Sequence, residues 1–255
     1  ADVVSRKETI SQKRFHQYRR FIDKLTADPR LIAFYPPRRD IPNRLLPNVA
    51  GAALAGNAQL IGPVEIVSGR FPAESVGLGF RRPGSRARMK LDGTFSAYSF
   101  LCWAKIDSLP HRYNALFLAD GYENGEPHWQ IRSDGRLMFS VMVDEDRELV
   151  YPTGPKKQPI HDAGFHHVYF TKPIWNNSLA GCWLHLAAVY DPGSRQVAQY
   201  INGEEVAREA ITSEFLIRDL RIGAAEIGNW GQPFRTSPDF AVRNLDGVID
   251  EMLIF

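Results

Sequence analysis

The stretch that decides the fold spans residues 182–203 and reads CWLHLAAVYDPGSRQVAQYING. It opens with a mainly apolar run, Cys182–Tyr190, turns at Asp191-Pro192-Gly193-Ser194, and continues as a second run, Gln196–Ile201. Proline presets the backbone of the first turn, and Asn202-Gly203 supplies the positive backbone dihedrals of a tight hairpin. Two short runs joined by close turns predict antiparallel β-structure.

The same pattern extends outward from this stretch. Asp134-Gly135 separates two further apolar runs and is a strong hairpin signal. The 17 prolines and 20 glycines favour many short strands over long helices. Because strands and helices do not alternate along the chain, the sequence predicts an all-β sandwich or barrel. The clearest predicted strands are Phe95–Ile106, Ala115–Ala119, Trp129–Arg132, Leu137–Val143, Phe165–Thr171, Cys182–Tyr190, Gln196–Ile201, Leu220–Ile222 and Gly247–Phe255.

The first thirty residues have a different pattern. Ser5-Arg6-Lys7-Glu8 has the spacing of a helix capping box, and apolar residues then recur at helical spacing until Asp28-Pro29 ends the run. We therefore expect a helix and linker over 1–30 and a β-domain over 31–255. The opposite helix face is basic; it is interpreted as a solvated face of a helix packed on the domain, with a stalk or membrane-surface contact as the alternative. The apolar residues are Ile10, Phe15, Tyr18, Phe21, Ile22 and Leu25.

Composition narrows the class of protein. A chain of 255 residues with 44% hydrophobic and 24% charged residues is typical of a soluble globular domain. The net charge of +2 does not favour a nucleic-acid partner, and no run has the apolar length of a membrane span. The start at Ala-Asp-Val-Val suggests a mature or trimmed piece of a longer chain. Cys102 and Cys182 are expected to be buried thiols, with a single disulfide as the alternative.

Five motifs in order resemble the laminin G-like jelly-roll domains of the concanavalin A-like superfamily, from about Leu31 to the C-terminus. The resemblance implies a sandwich of one convex and one concave antiparallel sheet that binds sugars or proteins, often with calcium. It extends to the ectodomain of FecR-type anti-sigma regulators, which implies an extracytoplasmic, tethered module. The motifs are FSAYSF leading to Trp103-Ala104-Lys105, GCWLHLAAVYD at 181–191, YINGEEV at 200–206, LRIG at 220–223 and DGVIDEMLIF at 246–255.

A ligand-binding face is predicted from the strand His128-Trp129-Gln130-Ile131-Arg132. Alternation directs Trp129 and Ile131 into the core and His128, Gln130 and Arg132 to the outer face. Aromatic walls with a few polar groups are typical of binding sites, so loop aromatics that lie beside Pro, Asn and Gly are added to the candidates. For Trp175 and Trp230 the alternative is that they pin long loops to the domain. Trp103 and Trp183 are expected in or near the core, and His185 as a structural histidine. The loop candidates are Tyr113, Tyr122, Trp175 and Trp230.

Metal sites have weaker support in the sequence. His166 and His167 are adjacent, so on a strand they point to opposite faces and do not share an ion. Calcium is suggested by the family resemblance and takes six to eight oxygen ligands. Its candidate ligands are Asp120, Asn124 and Asp246.

Catalysis is the minority prediction. A retaining glycosidase needs two carboxylates about 5–5.5 Å apart. Residues 144–148 are interpreted as a solvated acidic turn, and adjacent Asp250 and Glu251 are expected on opposite faces of a strand. The sequence therefore predicts a non-catalytic module that binds carbohydrate on the concave sheet face. A protein-interaction or sensory ectodomain is the alternative, and a glycoside hydrolase the third.

Overall fold

The computed structural model describes residues 2–51, 54–151, 160–162, 164–231 and 242–255. These residues form one α-helix, α1 Asp2–Leu25, three short 3₁₀ turns and eighteen strands. The strands are β1 Ala33–Tyr35, β2 Leu45–Leu46, β3 Ala58–Ile61, β4 Glu65–Ser68, β5 Val76–Gly79, β6 Arg86–Leu91, β7 Tyr98–Ser108, β8 Tyr113–Ala119, β9 Pro127–Arg132, β10 Arg136–Asp144, β11 Leu149–Tyr151, β12 Ile160–Asp162, β13 Phe165–Pro173, β14 Trp183–Asp191, β15 Gln196–Ile201, β16 Glu204–Ala210, β17 Gly223–Ile227 and β18 Asp246–Ile254.

Two antiparallel sheets make up the body of the fold. The first has the strand order β16-β15-β14-β7-β18-β5-β4, with β1 also paired to β18. The second has the order β13-β10-β9-β8-β17-β6-β3-β2, and β11 with β12 forms a separate hairpin. The predicted two-sheet antiparallel sandwich with one N-terminal helix is confirmed.

Side-chain alternation builds the core between the sheets. On β14, Leu184, Leu186, Ala188 and Tyr190 belong to the core, and the residues between them face outward. Aromatic rings from both sheets then meet: the ring of Phe100 on β7 lies 4.9 Å from that of Phe117 on the second sheet. The inner faces are therefore filled by the apolar positions that the sequence alternation marks.

The predicted tight turns have the expected backbone. Asn202 and Gly203 both have positive φ, 51° and 87°, between β15 and β16, as a two-residue hairpin turn requires. Gly135 has φ 80° between β9 and β10. The strand expected at Leu220–Ile222 is displaced, because Leu220 makes an isolated bridge to Phe95 and the pairing continues only at β17.

The cysteine predictions are partly wrong. Cys102 is buried and Cys182 is exposed, and both are free thiols. Burial raises the pKa of the Cys102 thiol well above its ordinary value. The disulfide alternative is therefore excluded in this structure, and only one of the two thiols is a core residue.

Helix α1 lies against the outer face of the first sheet. Leu31, Phe34 and Leu253 form a small apolar cluster on which Ile22 and Leu25 of the helix pack. Among the described residues, no helix combines the length and the apolar character that a membrane span requires.

Candidate functional site

A β-bulge in β18 shapes one end of the first sheet's outer face. Ile249 pairs with Ala104 and Glu251 with the next residue, Trp103, so Asp250 is an extra residue in the ladder. The expectation that Asp250 and Glu251 point to opposite faces is wrong, because the bulge lets both carboxylates reach the same cation, Arg70.

Arg70 is the centre of a buried charged network. Its Nη2 donates to Glu251 Oε1 at 2.9 Å, and its backbone N–H donates to Asp250 Oδ2 at 2.7 Å. The guanidinium also lies 4.4 Å from the ring centre of Tyr18 and 4.8 Å from that of Trp103. Burial raises the pKa of both carboxyl groups, and the positive charge of Arg70 opposes that rise.

A groove runs beside this network, between α1 and the outer face of the first sheet, and is called the helix groove below. Its volume is about 1090 Å³, which is the size of a small-molecule or oligosaccharide site. One wall is the helix, the floor comes from β7, β14 and β18, and the far wall comes from β15 and its hairpin turn. Its main lining residues are Tyr18, Phe21, Ile22, Leu25, Arg70, Leu101, Trp103, Trp183, His185, Val189, Tyr200, Asn202, Glu251, Leu253 and Phe255.

Aromatic rings are concentrated at one end of the helix groove. Trp103 and His185 lie with ring centres 5.2 Å apart, and the ammonium of Lys105 lies 5.2 Å from the ring centre of Trp183. Tyr200 completes the far wall, where its hydroxyl is within 3.3 Å of both Glu205 and Arg208. This end therefore offers flat apolar surfaces edged by charged groups.

Two polar groups occupy the same end. Asn202 Oδ1 accepts from the backbone N–H of His185 at 3.0 Å, which leaves its amide NH₂ as a donor. Burial, and secondarily Arg70, lowers the pKa of His185, so its imidazole is neutral at neutral pH and carries one donor and one acceptor.

The sequence prediction missed this groove. Trp103 and Trp183 were expected in or near the core, but both are partly exposed on the outer face and line the groove. The alternation of side chains along the strands already indicated this. Phe100 and Cys102 on β7, and Leu184 and Leu186 on β14, are core residues. Trp103 and Trp183 each lie next to a core residue on their strand, so alternation places both tryptophans on the outer face.

The predicted ligand residues His128 and Gln130 lie on the outer face of the second sheet and are covered there. His128 is 4% and Gln130 is 2% exposed. Tyr122 stacks on His128 at 3.8 Å, and Trp230 meets the same imidazole edge-on at 5.3 Å. The hydroxyl of Tyr122 donates to Ser140 Oγ at 2.6 Å. The structure thus brings three predicted residues, Tyr122, His128 and Trp230, into contact with one another.

Tyr113 and Arg132 lie beside that cluster. They are cross-strand partners on β8 and β9, and the ring of Tyr113 lies between the guanidinium groups of Arg112, at 5.1 Å, and Arg243, at 5.0 Å. Arg243 also donates to Gln130 Oε1 at 3.3 Å. Trp175 is elsewhere, because it is 6% exposed and belongs to the core, so its expected place at a binding surface is wrong.

The three calcium candidates are not brought together. Asp120 forms an ion pair with Arg88, Asn124 Oδ1 accepts from the backbone N–H of Glu145 at 2.7 Å, and Asp246 accepts from Ser108 at 2.5 Å. In the part of the chain that the structure describes, no group of three or more His, Cys, Asp or Glu residues is placed to hold a metal ion.

Comparison with known proteins bears on the fold. No protein-family model matches the chain, and no curated protein sequence matches it. Among solved structures it resembles the HCR/D W1238A mutant, with TM-score 0.55 and 14% identity over 89% of this chain and 47% of that one. It also resembles the binding domain of botulinum neurotoxin DC in complex with SialylT, with TM-score 0.54 and 13% identity over 89% and 48%.

The match to a third similar structure covers almost the whole of that structure's chain. It is domain 4 of AbnA, a GH43 extracellular arabinanase from Geobacillus stearothermophilus, in complex with arabinotriose, with TM-score 0.52 and 19% identity over 88% of this chain and 91% of that one. The chain has a jelly-roll β-sandwich fold. It spans about half the length of the first two structures, and identities this low establish the fold alone.

Proposed function

We propose that this chain is a non-catalytic carbohydrate-binding module and that a glycan occupies the helix groove. The observation that carries the proposal is the groove itself, which has a volume of about 1090 Å³ and is lined by Trp103, Trp183 and Tyr200. Sites of this size with aromatic walls and a few placed polar groups are typical of ligand binding.

The groove's chemistry suits a sugar chain. The apolar C–H face of a pyranose or furanose ring stacks on an indole or phenol, and its hydroxyls need planar polar partners. Trp183 and Tyr200 provide such rings at the partly open end, and His185 and the amide of Asn202 provide uncharged hydrogen-bonding groups beside them. A neutral imidazole both donates and accepts, as adjacent hydroxyls require.

Two of the similar structures support the ligand class. Domain 4 of AbnA was solved with arabinotriose, and the neurotoxin binding domain with SialylT. An extracellular neighbour of this kind also supports an extracytoplasmic location for the chain, which the family resemblance implies. These likenesses support the proposal through the fold, and the groove's own residues supply the chemistry.

The carboxylate pair at the groove's end favours binding over hydrolysis. Asp250 and Glu251 are both 4% exposed and both engage Arg70. A general acid or nucleophile has to reach the scissile bond, and these carboxylates are already bound to Arg70 and, for Glu251, to Tyr18. We therefore assign them a structural role.

The proposal is tested with an oligosaccharide array followed by calorimetry, with and without calcium. Trp183→Ala and Tyr200→Ala are expected to weaken binding at least tenfold each, which is about 1.4 kcal/mol. Tyr113→Ala is the matched control, since Tyr113 lies on the second sheet. Loss of binding in the control alone would move the site to the predicted Tyr113, Tyr122 and Trp230 face. Absence of binding to every glycan would overturn the proposal.

The floor of the helix groove favours a second candidate function. Leu101, Val189, Leu253 and Phe255 line it, and apolar surface of this kind is typical of protein partners. We infer that, should no glycan bind, the chain is the interaction or sensory ectodomain of a membrane-anchored regulator. Weakening of a purified partner complex by Val189→Ser, at a partly exposed position of the groove floor, with Trp183→Ala less effective, would support that alternative.

A further inference from the structure

Helix α1 has an uneven charge distribution around its axis. Its residues 12–25 carry five cations, Lys13, Arg14, Arg19, Arg20 and Lys24, and one anion, Asp23. All six side chains are exposed. This concentration of positive charge is larger than the net charge of the whole protein, +2, so the helix is a local basic surface on a nearly neutral molecule.

Four of the five cations lie on the side of α1 that carries Phe21, outside the lining of the helix groove. Phe21 lines the groove and is 58% exposed, so it marks the mouth. With about 100° between successive residues, Arg14 lies about 20° from Phe21, toward the sheet-facing residues Tyr18, Ile22 and Leu25. Lys24, Lys13 and Arg20 lie about 60°, 80° and 100° from Phe21 in the other direction, on the outward face of the helix above the mouth. Arg19 and Asp23 lie about 160° away on either side, so the one acid of this segment is on the opposite flank.

The opposite rim of the groove does not cancel these four cations. The strand after Gly203 carries Glu204, Glu205 and Glu209. Arg208, which is paired with Glu205, and Lys105, which lies over Trp183, offset two of these three charges, so the formal charge of that rim is −1. At the end of the groove, Arg70 is shared by Asp250 and Glu251, which adds at most one further negative charge.

We propose that the glycan held in the helix groove is an acidic polysaccharide, whose uronate carboxylates or sulfate esters pair with Lys13, Arg14, Arg20 and Lys24. The sugar rings stack on Trp183 and Tyr200, and the anionic substituents extend toward α1. This inference rests on the proposed function and adds the chemical class of the ligand. Several exposed ion pairs, each weak alone, act together on a polyanion and make its binding depend on salt.

An anionic membrane is the competing source of negative charge, and the packing of α1 argues against it. A helix that lies in a membrane surface buries its apolar face among the lipids. In α1 that face is already used, because Ile22 and Leu25 pack on the sheet and Tyr18 hydrogen-bonds Glu251. The cations and Phe21 remain accessible, but Ile22 and Leu25 are held against the sheet, so a continuous apolar face for insertion is not available in this segment.

The experiment compares polygalacturonate with the same polymer after complete methyl esterification. The acidic chain is expected to bind at least tenfold more tightly at 50 mM NaCl, and the advantage is expected to disappear near 500 mM. The quadruple variant K13Q/R14Q/R20Q/K24Q should lose that advantage. The control K90Q/R112Q removes two exposed cations outside the groove and should keep it. Circular dichroism confirms that both variants retain their fold.

Each other outcome has a definite meaning. Equal binding of the acidic and esterified chains would overturn this inference and leave the proposed function standing. Binding only to vesicles of phosphatidylglycerol, with no glycan bound, would overturn both and assign the cations to a membrane surface. Undiminished acidic preference in the quadruple variant would also overturn the assignment to α1. Heparin provides the sulfate-ester arm of the same comparison.

Discussion

The hydroxyl of Tyr18 on α1 donates a hydrogen bond to Glu251 Oε2 on β18, 233 residues later in the chain. Glu251 is buried, and burial together with the neighbouring carboxylate raises the pKa of Tyr18 far above its ordinary value. Tyr18 is therefore always protonated and always a donor. The bond joins the helix wall of the groove to the charged network at its end.

Tyr18→Phe is expected to destabilise the protein by about 1–2 kcal/mol, because Glu251 Oε2 loses a donor in a buried site. Amide hydrogen exchange in α1 should also become faster, since the helix loses a polar anchor to the sheet. Urea unfolding and exchange mass spectrometry measure the two effects. Tyr200→Phe, whose hydroxyl has only exposed partners, should change stability by less than about 0.5 kcal/mol. Equal effects of the two substitutions would contradict this account.

Arg70→Met is expected to cost about 3–5 kcal/mol at pH 7, because two buried carboxylates lose their shared counter-ion. Without that cation, the pKa values of Asp250 and Glu251 rise further above the unfolded-state values. A carboxyl group with a raised folded pKa stabilises below its unfolded pKa, and that stability is lost as pH rises through the folded pKa. The deficit should therefore shrink toward pH 4, in urea titrations at several pH values.

The double variant R70M/D250N provides the control for that prediction. It removes one of the two carboxylates that the loss of Arg70 leaves without a counter-ion, so it should recover part of the lost stability at pH 7 and little at pH 4. A deficit that is independent of pH would show that Arg70 acts through its ring contacts with Tyr18 and Trp103, not through charge.

Much of the fold could be predicted because it depends on local rules. Strand alternation and tight turns such as Asn202-Gly203 depend only on residues close together in the sequence, and the structure has the strands and the turn that these residues predict. The bulge at Asp250 could not be predicted, because it exists only in the register between β18 and β7. It reversed the expected orientation of one carboxylate and created the Arg70 network.

The candidate site was less predictable because it depends on contacts between segments that are distant in the sequence. His128 and Gln130 point to the outer face as alternation requires, but their burial depends on where the loops carrying Tyr122 and Trp230 return. Trp183 shows the opposite error. It was expected in or near the core, although the strand alternation of β14 places it on the outer face. A large aromatic residue is partly exposed there because a neighbouring element, α1, forms a groove with it.

Glu126 gives a prediction of pH dependence. It is 5% exposed, and burial is the main cause that raises its pKa to about 7. Its folded pKa exceeds the ordinary value of 4.5, so the stability it contributes is present below about pH 4.5 and is lost as pH rises through about 7. Glu126→Gln removes this pH-dependent contribution to the free energy of unfolding. Between pH 5 and pH 8, the free energy of unfolding of the variant should therefore rise by about 1–2 kcal/mol relative to that of the wild type, after allowance for solvent screening.

Urea titrations at the two pH values measure that gain. The exposed Glu145→Gln serves as the control for the removal of one carboxylate from the chain. A difference between wild type and Glu126→Gln that does not change with pH would show that the Glu126 carboxyl is ionised throughout this range.

The two predicted hairpin turns give a matched pair of glycine substitutions. Gly203 has φ 87° with open space where a Cβ would be, and Gly135 has φ 80° with the carbonyl oxygen of Trp175 only 2.0 Å from that position. Gly203→Ala therefore bears only the backbone cost of a left-handed residue, about 1–2 kcal/mol. Gly135→Ala must also displace the chain at Trp175, where the N–H of Ile174 donates to the carbonyl of Gly135 at 2.8 Å. We expect it to cost at least about 3 kcal/mol in urea unfolding, and equal costs would place the backbone of Trp175 farther from this turn.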